Sequence, residues 1–479
     1  MARISSAEGC EAERAYLESL FQDKTGALSR LGFRLVRPDA PEADLLIELL
    51  VSWEQEAALG DILISRTPLV PQEDMLAQRT SAALAACLDK RETVVPLEAL
   101  GPPYTALRVD GLALGDAGYP LTRTVGVRLS SAEGRPRSIQ KKLLTLQRAL
   151  ESAEKPLVQT TEIAWIAAGG DLMLDPSAVT RLLREGPQAV FGQTAPMLAQ
   201  ADLALVNLEG VVSARGKRVK KSFNFRFDPK TARALRDAGI DGVLHANNHV
   251  YDYGGAAFLD SLFYLAQAGI GAAGAGTTGE AAAKPLVFQR RGLAFQVFGL
   301  ASFPREMNGW DGLSAAAGPD TPGMLHAGRR GGEMLKARFA PDDPKRPVVD
   351  IVLFHGGAEW SRSPNAATRD LYTDLIRSGA DLVIGSHPHV IQGFEWVLGK
   401  PVFWSLGNYM FGGSENTEGG EEGLFIRLGF AGLKLVYLEP FALSLSPERT
   451  DLAPPELLEG FYERSRKLRK QAETPGGDT

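Results

Sequence analysis

The sequence predicts an α/β protein: a main domain over residues 160–445 in which helices flank two packed sheets, preceded by a small α/β domain at 1–150. Three observations predict it. Apolar strand-like runs alternate with helical patterns between residues 162 and 384. Four more strand-like runs with short connections follow, up to residue 438. The first 130 residues repeat a mixed helix and strand pattern on a smaller scale.

In chain order, the small domain opens with an amphipathic helix at 11–21 and continues with apolar strands at 43–47 and 61–65. A Gly-, Asp- and Pro-rich stretch fills 104–121, and no histidine occurs before residue 245. Within that stretch, Val109-Asp110-Gly111 and Tyr119-Pro120-Leu121 resemble a lobe of periplasmic binding proteins; a plain packing domain is the alternative. Residues 130–137 read as a loop or boundary. A linker helix at 139–152 follows, with apolar residues at 139, 143, 144, 146 and 150. The main domain's strand runs fall at 162–168, 203–206, 242–244, 269–272, 294–301, 348–354 and 381–384, with helices at 229–238, 255–268 and 365–378 between them. The later runs, 390–398, 401–405, 423–430 and 433–438, are expected to form a second, more antiparallel sheet packed on the first. Residues 446–479 hold a charged helix, 454–470, and a short tail.

Composition narrows the function. A formal charge of −6 over 479 residues leaves no broad basic excess for gripping a phosphate backbone, so no nucleic-acid partner is expected. Cys10 and Cys87 are the only cysteines, which excludes a disulfide framework and a thiolate zinc site; a metal here takes N and O ligands. No stretch reaches the roughly 18 apolar residues of a membrane span. The opening Met1-Ala2-Arg3-Ile4-Ser5-Ser6 lacks the apolar core of a signal peptide. The chain as written is expected in the cytoplasm, and a start further upstream would move it to the cell envelope.

Open α/β sheets bind ligands beyond the carboxyl ends of their strands. There the sequence places Gly169-Gly170-Asp171, Asn207-Leu208-Glu209, His245-Ala246-Asn247-Asn248-His249, His355-Gly356-Gly357 and Gly385-Ser386-His387-Pro388-His389. Five of the six histidines lie in these segments. Taken singly, Asp171 reads as a helix cap, Asn248 as a turn residue and His387-Pro388-His389 as an ordinary turn. Together they supply what two adjacent divalent ions need: imidazoles, anionic oxygens and one carboxylate able to bridge. Mixed N and O donors suit Mn, Fe and Zn alike.

At these residues the sequence resembles the CapA family, capsule (poly-γ-glutamate) synthesis proteins with a calcineurin-like metallophosphatase fold. The matching runs include Gly170-Asp171-Leu172-Met173-Leu174, Val206-Asn207-Leu208-Glu209, Phe225-Arg226-Phe227-Asp228-Pro229, Asn247-Asn248-His249 with Asp252-Tyr253-Gly254, His355-Gly356-Gly357-Ala358-Glu359, Gly385-Ser386-His387-Pro388-His389 and Ser405-Leu406-Gly407-Asn408-Tyr409. The likeness covers about residues 165–415 and leaves the first 150 outside. It implies one metal on Asp171 and His389, a second on Asn248, His355 and His387, and Glu209 bridging. It implies further that His249 contacts the leaving group or the transferring phosphate. Two departures are visible: Met173 stands where metallophosphatases carry a histidine, and Gly356 stands where a tryptophan is usual, which is expected to open space beside the site.

The resulting expectation is a metal-dependent hydrolase. Metal binding lowers the pKa of a water from about 15.7 toward about 7, and the hydroxide attacks a phosphate ester in line. His249 assists the leaving oxygen, Arg226 either holds a substrate anion or forms a surface ion pair, and Asn408 and Glu359 either orient ligands or serve structure. His245 and His326 are expected to be structural or exposed. The expected substrate is an anionic small molecule or polymer, with cell-envelope polymer synthesis as the setting. A non-catalytic metal-containing assembly or export factor for such a polymer is the alternative.

Overall fold

The computed structural model describes residues 163–303, 305–306, 310–340, 347–412 and 417–470 in full, the backbone to residue 473, and before residue 163 the backbone of eight strands. The chain divides into two compact units, Met1–Leu100 with Tyr104–Thr161, and Gly101–Pro103 with Glu162–Thr479.

In the first unit, Ala2–Ser6 pairs in parallel with Leu35–Val36 and Leu45–Ser52, and Thr122–Ser131 joins Leu45–Ser52 to Ile62–Pro71 in antiparallel fashion. The expected apolar runs near 45 and 62 are therefore strands. The strand Thr122–Ser131 reaches into the segment expected to be loop, because Ser131 still pairs with Leu45. The expected helices at 11–21 and 139–152, the run 109–121, both cysteines and the tail 474–479 lie outside the described residues.

The second unit is built on two sheets. In the first, Gly271–Ala273, Gly242–Leu244, Leu203–Leu208 and Ile163–Met173 run parallel in that order, and Glu422–Ala431, Lys434–Leu445 and Thr450–Leu452 continue it antiparallel. Asn408–Phe411 pairs with the far end of Ile163–Met173, setting Asn408 opposite Asp171. In the second sheet, Leu293–Ser302, Val348–Gly356, Leu382–Ser386 and Lys400–Phe403 run parallel, edged by Leu286–Arg290 and Phe394–Val397 antiparallel.

This corrects one expectation. The late strands do not make a sheet of their own; they are divided, two extending the first sheet antiparallel, and two extending the second, where Lys400–Phe403 pairs in parallel and Phe394–Val397 antiparallel. Each sheet thus mixes a parallel centre with an antiparallel margin, a common outcome where hairpins close an α/β sheet.

The central strands read as unbroken apolar runs because both of their faces are covered; Leu203–Leu208 is buried throughout. Helices Pro176–Glu185, Pro187–Phe191 and Thr194–Gln200, additional to those expected from sequence, pack Leu182, Phe191 and Leu198 on the first sheet, with Leu235 and Leu265 from Lys230–Asp237 and Gly254–Ala268. Ala366–Arg377 and the last helix, Leu458–Glu473, cover the second through Tyr372, Leu375 and Leu468. Asp175 and Asn365 start their helices by accepting the Ser177 and Thr368 amides at 2.9 and 2.8 Å. Between the sheets, Ala168, Leu205 and Leu244 share one small interior cavity with Leu353 and Ile384. The carboxyl ends of both parallel sets therefore open on one crevice.

Candidate metal centre

Asp171 lies near the end of Ile163–Met173 and is wholly buried. Its neighbour Gly170 permits this, since a Cβ there would sit 1.9 Å from the Gly407 carbonyl oxygen, and the Asp171 amide donates to that oxygen at 2.9 Å. The His387 amide donates back to the Asp171 carboxylate at 3.1 Å. Two residues beyond Asn207 on extended chain, Glu209 points to the same side. The Asn207 amide Nδ2 donates to Asp171 Oδ1 at 2.7 Å and reaches Glu209 Oε2 at 3.3 Å and the ring of His355 at 3.1 Å.

The imidazoles close the cluster. His355 Nε2 lies 2.9 Å from Asn248 Oδ1 and 3.0 Å from His387 Nδ1. In the tautomer that donates Nδ1–H to Ser386 Oγ, 3.3 Å away, the Nε2 lone pair faces both. His389 donates Nδ1–H to Asn408 Oδ1 at 3.0 Å, which leaves Nε2 facing Glu209 Oε1 at 3.8 Å. His249 bonds Asp252 Oδ2 through Nδ1 at 2.6 Å and presents Nε2 to Glu209 Oε1 at 3.7 Å. His387 and His389 adopt φ 95 and 58, left-handed conformations that a non-glycine residue holds at a cost of about 1–3 kcal/mol.

The structure thus brings together Asp171, Glu209, Asn248, His249, His355, His387 and His389, with Asn408 behind His389. Arg226 does not join them. It is exposed, its guanidinium stacked 4.2 Å from the Tyr253 ring, and the arginine that lines the cavity is Arg305. Asn248, His249 and His387 form the inner part of that cavity, about 280 Å³, with Phe223, Arg305 and Glu359 at its exposed side. Nor does Gly356 open space: a Cβ there would meet the Ser302 carbonyl oxygen at 1.8 Å, so the glycine answers a close strand pairing. His245 is buried against Phe258, and His326 accepts the Gly328 amide at 3.1 Å.

A family model described as bacterial capsule synthesis protein PGA_cap matches residues 165–413, just over half the chain and the whole stretch that carries this cluster. The chain belongs to this family. It is 27% identical over 264 residues to the PGA biosynthesis protein CapA of Bacillus subtilis, covering 54% of this chain and 67% of that one. It is 28% identical over 250 residues to the capsule biosynthesis protein CapA of Bacillus anthracis, covering 50% of this chain and 58% of that one. A solved structure of a phosphatase from Mycoplasma pneumoniae aligns over 62% of this chain and 97% of its own, with a TM-score of 0.33 and 13% identity, values that carry no weight for function.

In this PGA_cap member the electrostatics of the cluster ask for a cation. Burial, then the Asp171 charge, pushes the Glu209 carboxyl well above its usual range, and Glu209 Oε1 is buried with no hydrogen-bond partner. Burial pulls His389 down, yet Glu209 and Asp171 outweigh it and hold the imidazole up at about 10. Burial, then His389, drives His387 down to about 3, and His355 is likewise held well below its usual range, so both offer lone pairs at neutral pH. Burial lowers His249 as well, opposed by Asp252. An orphaned carboxyl oxygen beside the lone pairs of His355 and His387, and beside a His389 held protonated by two acids, fits a divalent ion that would take the place of that proton, and Asp171, Glu209 and His389 each place a donor atom within 4.8 Å of the others.

Several functional neighbours escaped the sequence. Asn207 had a signal, its same-face spacing to Glu209. Asp252 sat in a quoted run without a role. Lys221 gave none: it reads as one of a surface run, yet its side chain is fully buried, donating to the Asn248 carbonyl at 2.6 Å and paired with Asp252 at 3.0 Å.

Proposed function

We propose that this chain is a metal-dependent hydrolase that cleaves an ester on an anionic substrate, a phosphate ester in the first instance, in the setting of poly-γ-glutamate capsule synthesis that its relatives' names give. One observation carries the reading: Glu209 Oε1, buried and unpartnered, lies 3.7 and 3.8 Å from the Nε2 atoms of His249 and His389. A buried carboxyl oxygen without a hydrogen bond is costly, and its place between two imidazole nitrogens suits a cation.

In this reading Asp171, Glu209 and His389 hold one divalent ion, and Glu209, Asn248, His355 and His387 a second. Bound there, the pair supplies a hydroxide at neutral pH and charge neutralisation at the reacting centre. His249, kept in one tautomer by Asp252, is the proton donor to the leaving oxygen. Asn408 orients His389. A basic loop supports an anionic substrate: residues 213–227 contain no Asp or Glu, and Lys217, Arg218, Lys220 and Arg226 are exposed on it. Ser222 and Phe223 of that loop line the cavity, beside Arg305, which pairs with Asp311 at 3.0 Å.

The test is turnover of p-nitrophenyl phosphate and bis(p-nitrophenyl) phosphate by purified protein with Mn²⁺. Activity is expected, and it is expected to vanish in Asp171→Asn and His387→Ala. Metal bound at full occupancy without turnover of any ester would replace the enzyme with an assembly or export factor for an anionic polymer.

A further inference from the structure

The exposed side of the cavity holds a carboxylate that the six candidate ligands leave unassigned. Glu359 offers an oxygen that lies within 4.8 Å of ring nitrogens of both His387 and His389. The triad of Asp171, Glu209 and His389 meets the same criterion, so the two triads share His389. The donor count is uneven. Asn248, His355 and His387 join Glu209 around one ion, but only Asp171 and His389 join it around the other. Met173, on the same strand as Asp171, is buried in the apolar core and adds no donor of use to a hard cation.

The position of Glu359 is built into the backbone. Gly357, at φ 107, turns the chain out of the strand that carries His355. Trp360, at φ 62, donates its amide to the Pro388 carbonyl at 2.8 Å, and its ring lies 5.4 Å from His389. Segment 357–360 is thereby fastened to the turn 387–389, which sets Glu359 beside the imidazoles without relying on a freely reaching side chain. The charge of Glu359 is also felt at Glu209, where it adds to burial and Asp171 in raising that carboxyl.

We propose that Glu359 is a further ligand of this centre, completing one of its two ion positions from the side of His387 and His389. The proposal rests on the two-ion reading above. It is tested by calorimetric titration of the metal-free full-length chain with Mn²⁺, comparing wild type, Glu359→Ala and Glu359→Asp, with melting in EDTA as a control of the fold. In Glu359→Ala, one Mn²⁺ is expected to keep its affinity and the other to weaken by at least about tenfold, the scale at which even indirect metal contacts are felt. Glu359→Asp is expected to recover part of the loss. Because Glu359 is exposed and its charge opposes that of Glu209, melting in EDTA should not fall. Equal affinities in wild type and Glu359→Ala would overturn the Glu359 assignment and leave the two-ion centre standing, and so would weakening of both ions together. A wild-type chain that binds no Mn²⁺ overturns both readings.

Discussion

Asn207 uses one amide group to reach Asp171, Glu209 and His355, while its own Oδ1 accepts from Asn247 Nδ2 at 3.0 Å. Asp252 does comparable work for His249: its carboxylate accepts the Nδ1–H hydrogen bond and is itself held by the Phe225 amide at 2.7 Å and by Lys221. Residues that can ligate stood out in the sequence because His, Asp and Glu at strand ends are rare. Residues that merely hold them did not, since an Asn or a Lys has many ordinary uses. The Asp252 contact yields a prediction. Asp252→Asn removes the charge that opposes the downward pull of burial on His249. The protonated imidazole is then lost at lower pH, so the alkaline limb of the rate profile shifts to lower pH. At neutral pH kcat is expected to fall by about 10²-fold or more while bound metal per chain stays unchanged. Rate against pH together with elemental analysis checks it, and an unshifted profile would show that His249 is no proton donor.

Element by element, the alternation of apolar runs and helical patterns located nearly every strand of the second unit, because buried parallel strands are apolar along their whole length. Partner choice was not legible. Glu422–Ala431 pairs with Ile163–Met173, more than 250 positions away, and local patterning carries no information about such a pairing. The glycines were legible in kind and misleading in purpose: Gly356 suggested space, and the Ser302 carbonyl fills it. Hence Gly356→Ala is expected to cost about 1–3 kcal/mol of stability, by forcing Val348–Gly356 away from Leu293–Ser302. It should not broaden substrate choice. Denaturant melts and relative kcat/KM on mono- and diester substrates separate the outcomes; a fully stable Gly356→Ala with altered preference would restore the pocket interpretation.

At the scale of the molecule, two sheets deliver their strand ends to one crevice, and the cost is a group of charges largely withdrawn from water. Without metal, that group, together with His245 buried apart from it against Phe258, makes stability depend on pH from both sides. His389 is held at about 10, whereas His387 and His245 are pushed down by burial to about 3 and about 4. In the unfolded chain all three titrate near about 6.5. Between that value and about 10 the folded chain keeps a proton on His389 that the unfolded chain has lost, so stability falls as pH rises; the raised Glu209 carboxyl acts in the same direction. Below about 6.5 the unfolded chain takes up protons that folded His387 and His245 refuse, so stability falls as pH drops. The metal-free melting temperature is therefore expected to peak near pH 6.5 and decline on either side. Saturating Mn²⁺ supplies the positive charge that His389 otherwise takes from a proton, so it should raise the melting temperature and flatten the alkaline decline. Melting curves between about pH 4.5 and 9.5, in EDTA and in Mn²⁺, decide the matter. An alkaline decline of the same slope with and without Mn²⁺ would mean that no cation neutralises Asp171 and Glu209, and the buried carboxylates would then need another explanation.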